Sequence, residues 1–251
     1  MAWYTAIFLG LVQGLAEFLP VSSSGHLLLF ENLLGITDGG LLLTLLLHCA
    51  TLLAVVVVYR RRLWQMIRHP WQKETWQLVV ATILTCGIVL AFNDVIDRLF
   101  TIQALPYLFL ICGVVLLLPT LLKPQTNQRT WVQAVMMGVA QGVAVVPGLS
   151  RSGLTIVSGR LAGKSNAEAT DFSFLMSLPI IIASLVFELV RGGNIQSLGL
   201  DSVVLAFVTA FVSGIIAIKF MISLVRKIDL RWFAVYLLGL GIWLLCANVL
   251  V

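Results

Sequence analysis

The chain has 251 residues, of which 60% are hydrophobic and only 11% charged, with a mean hydropathy of +1.03. That balance leaves too little polar surface for a water-soluble domain, so lipid is the expected solvent. The net charge of +5 does not point to nucleic acid, because the basic residues sit in short clusters beside apolar runs, where they read as topology signals.

Residues 2–36 form an apolar helix interrupted by a Pro, Ser and Gly cluster and followed by a shorter apolar stretch. Gln13 and Glu17, and the lack of a basic start, argue against a cleaved leader. Spans are predicted over 40–59, 76–97 and 103–122. The interrupted pattern then returns over 130–163, and three further spans follow over 170–190, 200–224 and 232–250. At about 1.5 Å per residue, the second stretch of each interrupted region is too short for a bilayer core of about 30 Å. Both regions are therefore predicted to be re-entrant hairpins. Cys49, Cys86, Cys112 and Cys246 stand singly in apolar runs, which suggests neither disulfides nor a zinc site.

The charges give the expected topology. Arg60, Arg61, Arg62, Arg68 and Lys73 follow the first span, Lys123, Arg129, Arg160 and Lys164 follow the third, and Arg226, Lys227 and Arg231 follow the fifth. All fall on one face, which the excess of positive charge makes cytoplasmic. The opposite loops carry Arg98 and Arg191 with Glu31, Asp38, Asp94, Asp97 and Asp201. Both termini are then expected outside the cytoplasm.

QGLAEFLPVSSSGHL, residues 13–27, aligns without gaps on QGVAVVPGLSRSGLT, residues 141–155, at an offset of 128. Gln13, Gly14, Ala16, Ser22, Ser24 and Gly25 recur as Gln141, Gly142, Ala144, Ser150, Ser152 and Gly153. Each half carries one hairpin and three spans, and an odd number of spans inverts the second half. The expected fold is an all-α polytopic membrane protein with an inverted-topology repeat, six spanning helices and two re-entrant hairpins. It forms one membrane domain over 1–251, with repeat 1 at 1–123 and repeat 2 at 129–251.

Irregular backbone at membrane depth is tolerated only where protein buries it or it lines a wet cavity, so two such turns meeting imply a polar site. The serines lie where each second half-helix begins, and helix N-termini attract anions, phosphate being the expected one. The mismatches between the halves carry the chemistry: Glu17 stands opposite Val145, Ser23 opposite Arg151 and His26 opposite Leu154. One turn holds acid, base and nucleophile candidates. The other holds a cation that grips phosphate through parallel hydrogen bonds, with the Thr155 hydroxyl one turn on. Gln13 and Glu17 share one helix face, and Ser23 and His26 another.

Plainer roles exist for several of these residues. Ser22, Ser24, Ser150 and Ser152 serve equally well as packing or capping residues. Intramembrane Glu17, His26 and Arg151 are costly enough to favour function over a structural ion pair. His48 reads as a satisfied buried histidine, Lys219 as a snorkelling lysine, Glu188 and Arg191 as a pair at a span end, and His69 with its neighbouring Trp residues as an interfacial anchor.

The two stretches resemble the signatures of the BacA-type undecaprenyl pyrophosphate phosphatases, with further similarity in LLHCATLLAVVVVYRRR and AEATDFSFLMSLP. The resemblance implies hydrolysis of undecaprenyl pyrophosphate to the monophosphate, which recycles the cell-wall lipid carrier, and bacitracin resistance. It implies a multi-pass protein of the bacterial plasma membrane with a site open to the extracytoplasmic side. By its motifs, Glu17, Ser23, His26 and Arg151 are the catalytic residues, and Gln13, Ser22, Ser24, Ser150, Ser152 and Thr155 bind substrate. A divalent metal, Mg2+ or Ca2+, is implied at Glu17 with Gln13 beside it, although many members carry Glu where Gln13 stands. Asp171 occupies a position where a basic or neutral residue is expected. The implied partners are a polyprenyl diphosphate and membrane lipid, not nucleic acid, and a homodimer is left open.

Two routes stay open: Ser23 attacks phosphorus with His26 or Glu17 as base, or His26 activates water. The competing class is a flippase for a polyprenyl phosphate lipid, which would use the same anion site without needing His26. Ser-Gly-His at 24–26 also suggests the other large class of lipid phosphatases, but SRSGLTIVSGR lacks the second histidine that class needs.

Overall fold

The computed structural model describes residues 2–36, 40–122, 130–191, 200–224 and 229–247, with the side chains of 40–42 and 187–191 excepted. Among the described residues every regular element is a helix. α1 (Trp3–Phe18) and α2 (Ser23–Leu33) are followed by the long α3 (Gly40–Arg68), α4 (Lys73–Ala91), the short α5 (Asn93–Leu99), one 3-10 turn and α6 (Leu105–Leu121). α7 (Thr130–Val143) and α8 (Arg151–Leu161) then precede α9 (Asn166–Arg191), α10 (Leu200–Leu224) and α11 (Arg231–Cys246).

Local chemistry sets these boundaries. α1 stops because Pro20 pushes Leu19 out of helical space, to φ −77 and ψ 147. α3 runs beyond the predicted span end at 59, through arginines that favour helix, and stops before Pro70. The predicted span over 76–97 is two helices: α4 ends at Ala91, capped by Phe92, and α5 follows as a separate short helix that carries Asn93, Asp94 and Asp97.

Five segments are long and apolar enough to cross a membrane: Leu43–Arg68, Lys73–Ala91, Ile102–Leu121, Asn166–Val186 and Leu200–Leu224. They make the chain a multi-pass membrane protein. α11, the expected sixth span, has 16 described residues, or about 24 Å. α2 and α8 have 11 residues each, about 16 Å, well short of a bilayer core of about 30 Å.

α1 packs along α10, and α7 along α4. Both contacts use a pair of glycines four apart, which lets backbones approach where lipid supplies no hydrophobic drive. A Cβ on Gly14 would lie 2.0 Å from Ser213 Oγ and 2.5 Å from the Ala210 carbonyl. One on Gly138 would lie 2.7 Å from the Ala81 carbonyl. Hydroxyls cross the same seams: Thr85 donates to the Gly138 carbonyl at 2.9 Å and Ser213 to that of Gly10 at 3.5 Å. α6 packs on α11, and α3 on α10 and α9.

Basic residues gather at one end of the bundle. Arg62 pairs with Glu74 and, at 3.2 Å, with Asp171, which also accepts from the buried Tyr59 hydroxyl at 2.7 Å. The unexpected acid at 171 thus neutralises an arginine and ties α9 to α3 and α4. Lys164 lies 4.8 Å from the Phe172 ring centroid, and Arg160 within electrostatic reach of Asp229. His69, Trp64, Trp71, Trp76 and Lys219 are all exposed. Asp38, Lys123, Arg129, Arg226, Lys227 and the Glu188–Arg191 side chains lie outside the described residues. Asp171→Ala should remove about 1 kcal/mol by orphaning the Tyr59 hydroxyl. Thermal unfolding in detergent should show this as a drop of about 2–4 °C.

Candidate active site

The turn after α1 and the turn after α7 meet tip to tip. Ser22 closes the first: its backbone takes φ 69, uncommon outside glycine, and its hydroxyl caps α2 by accepting from Gly25 N at 3.3 Å. The same Ser22 oxygen accepts from Gly148 N at 3.0 Å, so the cap of one turn holds the backbone of the other. Ser150 caps α8 through Gly153 N at 3.1 Å, and its own amide donates to Cys112 Sγ. Ser152 reaches across to the Leu19 carbonyl at 3.0 Å. The remaining first-turn amides of α2 and α8 have no partner within their helices.

The residues that differ between the two turns converge here. Glu17, at the buried end of α1, ion-pairs through Oε1 with Arg151, the first residue of α8. Its Oε2 accepts from the Ser23 hydroxyl at 2.5 Å and from Gln13 Nε2 at 3.1 Å. Arg151 NH1 is buried and has no hydrogen-bond partner, and neither has Gln13 Oε1. The expected Gln13–Glu17 face is present, and the Ser23 side chain, three positions before His26 on α2, reaches over to it.

His26 turns away from Ser23. Its Nδ1 lies 2.8 Å from the Ser22 carbonyl and its Nε2 2.7 Å from the Tyr236 hydroxyl of α11, with Phe109 packed at 5.3 Å between centroids. Thr155 is also directed inward: its hydroxyl contacts Ser173 Oγ at 2.6 Å and donates to the Arg151 carbonyl at 2.7 Å.

A cavity of about 590 Å³ opens above the paired residues. Glu17, Ser22, Ser23, Ser24, Ser150 and Arg151 form its polar floor, Ile180, Ile181 and Leu185 supply an apolar wall, and Glu31 and Asp97 also line it. A second, narrow crevice too tight for water is lined by Glu17, Arg151, Ser152, Ser173 and Ser177. His48 lines the main cavity. Its Nδ1 lies 2.8 Å from the Thr44 carbonyl, so that nitrogen carries the proton, while Nε2 makes no hydrogen bond among the described residues. The expected satisfied histidine is thus satisfied on one side only. Tyr236, Gly148, Cys112 and Ser173 are site residues that sequence reasoning missed.

The donors also fit a hard divalent cation. No group of three or more His, Cys, Asp or Glu is clustered among the described residues. The orphaned Gln13 carbonyl oxygen beside the Glu17 carboxylate suits an ion that takes one or two protein oxygens and completes its shell with phosphate and water.

A family model described as "Bacitracin resistance protein BacA" matches residues 6–243. The chain belongs to the BacA family. Its relatives in that family include proteins named undecaprenyl-diphosphatase from Carboxydothermus hydrogenoformans, 37% identical over 96% of each chain, and from Christiangramia forsetii, 36% identical over 95% of this chain and 96% of the relative. One of the same name from Treponema denticola is 36% identical over 97% of both. BacA-family membership therefore extends over both turns and nearly all of the helices between and around them.

Proposed function

We propose that this chain hydrolyses undecaprenyl pyrophosphate to undecaprenyl phosphate and inorganic phosphate, recycling the carrier for cell-wall polymers and conferring bacitracin resistance. The observation that carries the reading is the Glu17 carboxylate holding a serine hydroxyl on one oxygen and an arginine on the other, at the base of a cavity with an apolar wall. The names of the relatives identify the substrate class.

The chain is an inverted repeat in this reading, with α1–α2 and α7–α8 as re-entrant hairpins and α3, α4, α6, α9, α10 and α11 as spans. Support comes from the coincidence of α8 with α2 at the sequence offset of 128, and from the exchange of partners, α1 on α10 and α7 on α4. The arginine-rich end is cytoplasmic and the cavity opens toward the opposite, extracytoplasmic face of the bacterial plasma membrane.

The diphosphate enters the cavity and takes Arg151, whose unpartnered NH1 is already available as a second donor. The unpaired first-turn amides of α2 and α8 add partial positive charge around it. With Arg151 drawn onto phosphate, Glu17 accepts the Ser23 proton as Ser23 Oγ bonds to the terminal phosphorus and the bond to the bridging oxygen breaks. Glu17 passes that proton to the departing bridging oxygen and undecaprenyl phosphate leaves. Water then attacks the phosphoserine and gives a proton to Glu17, which hands it to the Ser23 oxygen as its bond to phosphorus breaks and inorganic phosphate is released. Mg2+ or Ca2+ at Glu17 and Gln13 would supply charge neutralisation on the phosphate oxygens. The short Ser23–Glu17 bond and the engagement of His26 with Tyr236 favour this route over direct attack by water that His26 activates. The Ser23 hydroxyl held on Glu17 beside the arginine favours a hydrolase over a flippase, which would need the anion site alone.

Purified protein should release phosphate from short-chain polyprenyl diphosphates in detergent, and Ser23→Ala should lose at least about a thousandfold in kcat, as nucleophile removal does. A phosphoserine at Ser23 should be trapped by acid quench with diphosphate labelled in its terminal phosphoryl group. Near-normal turnover of Ser23→Ala removes the covalent route; no release by the unaltered protein removes the hydrolase reading.

A further inference from the structure

Two imidazoles lie near the turns, and they are held differently. His48 has one hydrogen-bonded nitrogen and faces the cavity, whereas both nitrogens of His26 are engaged and that side chain is buried. The His26 contacts fix where its protons are. A carbonyl oxygen only accepts, so the nitrogen 2.8 Å from Ser22 O must be protonated. In the neutral ring Nε2 is then the bare nitrogen, and the group 2.7 Å from it, the Tyr236 hydroxyl, must donate.

The chain of contacts continues to the floor of the site. Tyr236 on α11 donates to His26, and His26 donates to the carbonyl of Ser22. Ser22 holds the left-handed backbone at φ 69 and accepts from Gly148 N of the opposite turn at 3.0 Å. The phenol ring lies nearly parallel to the imidazole, 12° between planes and 5.7 Å between centroids. Tyr236 is 48% exposed and His26 only 6%, so the tyrosine covers the imidazole from outside.

From this we propose that Tyr236 is a positioning residue for the reaction: it fixes the His26 tautomer, and through it the Ser22 turn on which Ser23 is presented to Glu17. A phenol hydroxyl both donates and accepts, so the Tyr236–His26 contact persists when Nε2 takes a proton, with the direction of the hydrogen bond reversed. The turn geometry is thereby held through either protonation state of His26. This role rests on the hydrolase reading for its kinetic consequence, but the His26 tautomer can be read without turnover.

Tyr236→Phe removes the hydroxyl and keeps the ring. We expect the variant to fold, to retain KM within about twofold, and to lose about fivefold to tenfold in kcat, the scale of one lost hydrogen bond. The independent readout is 15N NMR of histidine-labelled protein in detergent. The chain has three histidines, so His48→Gln and His69→Gln together leave His26 as the remaining signal. Unaltered Tyr236 should give a single tautomer protonated at Nδ1 with a hydrogen-bonded Nε2, and Tyr236→Phe should shift the Nε2 resonance toward that of a free imidazole nitrogen. An Nε2-protonated ring in the protein with Tyr236 intact overturns the proposal, as does a kcat within twofold for Tyr236→Phe. Absence of phosphate release by the unaltered protein refutes the hydrolase reading instead, and with it the kinetic role of Tyr236, while the NMR result still decides the tautomer.

Discussion

Arg151→Ala is expected to lower phosphate release by about a hundredfold to a thousandfold, because a preorganised donor aimed at developing phosphate charge is worth about 2.7–4 kcal/mol in a water-excluded site. The structure adds a second consequence. Arg151 is the sole ion-pair partner of Glu17 among the described residues, and the Glu17 side chain is only 2% exposed. Removing one member of such a pair leaves an uncompensated buried charge, which costs about 3–5 kcal/mol. Arg151→Ala should therefore be both inactive and easier to unfold. Adding Glu17→Gln to it should recover much of the thermal stability, since the orphaned charge is gone, and none of the turnover. Arg151→Lys tests the fork geometry: it keeps the charge but not the two-nitrogen grip, and should stay well below the parent rate. Turnover by Arg151→Ala within tenfold of the parent would take the arginine out of the phosphate-binding role, and equal stability of Arg151→Ala and the double variant would show that Glu17 is not charged in the empty site.

The second large effect is expected from one added methyl group. A Cβ on Gly25 would lie 2.8 Å from Gly148 N and 2.9 Å from Gly148 Cα, and 2.8 Å from the Phe109 ring. The obstructing atoms are mostly backbone, and Gly148 is itself pinned at φ 96 with its amide on Ser22, so the turn tips must separate. Overpacking of this kind costs about 1–3 kcal/mol, and a displacement of about 1 Å at a reacting centre costs about a hundredfold in rate. Gly25→Ala should accordingly lose about a hundredfold in kcat with a modest fall in melting temperature. Gly87→Ala is the control, because nothing lies within 4 Å of a Cβ built there, and it should be neutral in both assays. Parent-like kinetics for Gly25→Ala would mean that the close approach of the two tips is not needed for turnover.

Much of this site is legible in the sequence, for identifiable reasons. A serine before a helix start has few roles other than capping, so Ser22 and Ser150 are found where their neighbours put them, as caps. Glu17 and Arg151 stand out as costly charges of opposite sign in the two matched segments, which marks them as site residues, but their direct ion pair is not what the sequence indicates. The misses are residues whose sequence context is ordinary. Tyr236 stands in an apolar helix, where a tyrosine reads as an interfacial aromatic, and nothing local says that its hydroxyl turns inward to His26. Cys112 and Ser173 look like small packing residues until Ser150 N and Thr155 are placed against them. Ser23 and His26 do lie three apart on α2, but their side chains diverge: Ser23, in the first turn, leans back to Glu17, while His26 reaches Tyr236 on α11. Asp171 stands where the resemblance leads one to expect a basic or neutral residue, and its partner Arg62 lies on a different helix, 109 positions away, where no local pattern reveals it.

The pairing of α1 with α10 also carries a consequence for synthesis. Helix α7 emerges after its partner α4 and can dock at once, whereas α1 is made first and its glycine seam waits for α10. Roughly 180 residues separate the two, which at about 5–20 residues per second is roughly 10–40 s on the ribosome. Throughout that interval Gln13 and Glu17 have neither the α10 seam beside them nor, for most of it, Arg151. The oldest segment of the chain is therefore among the last to find its partner, and α1 must be held without its packing surface until the second half arrives.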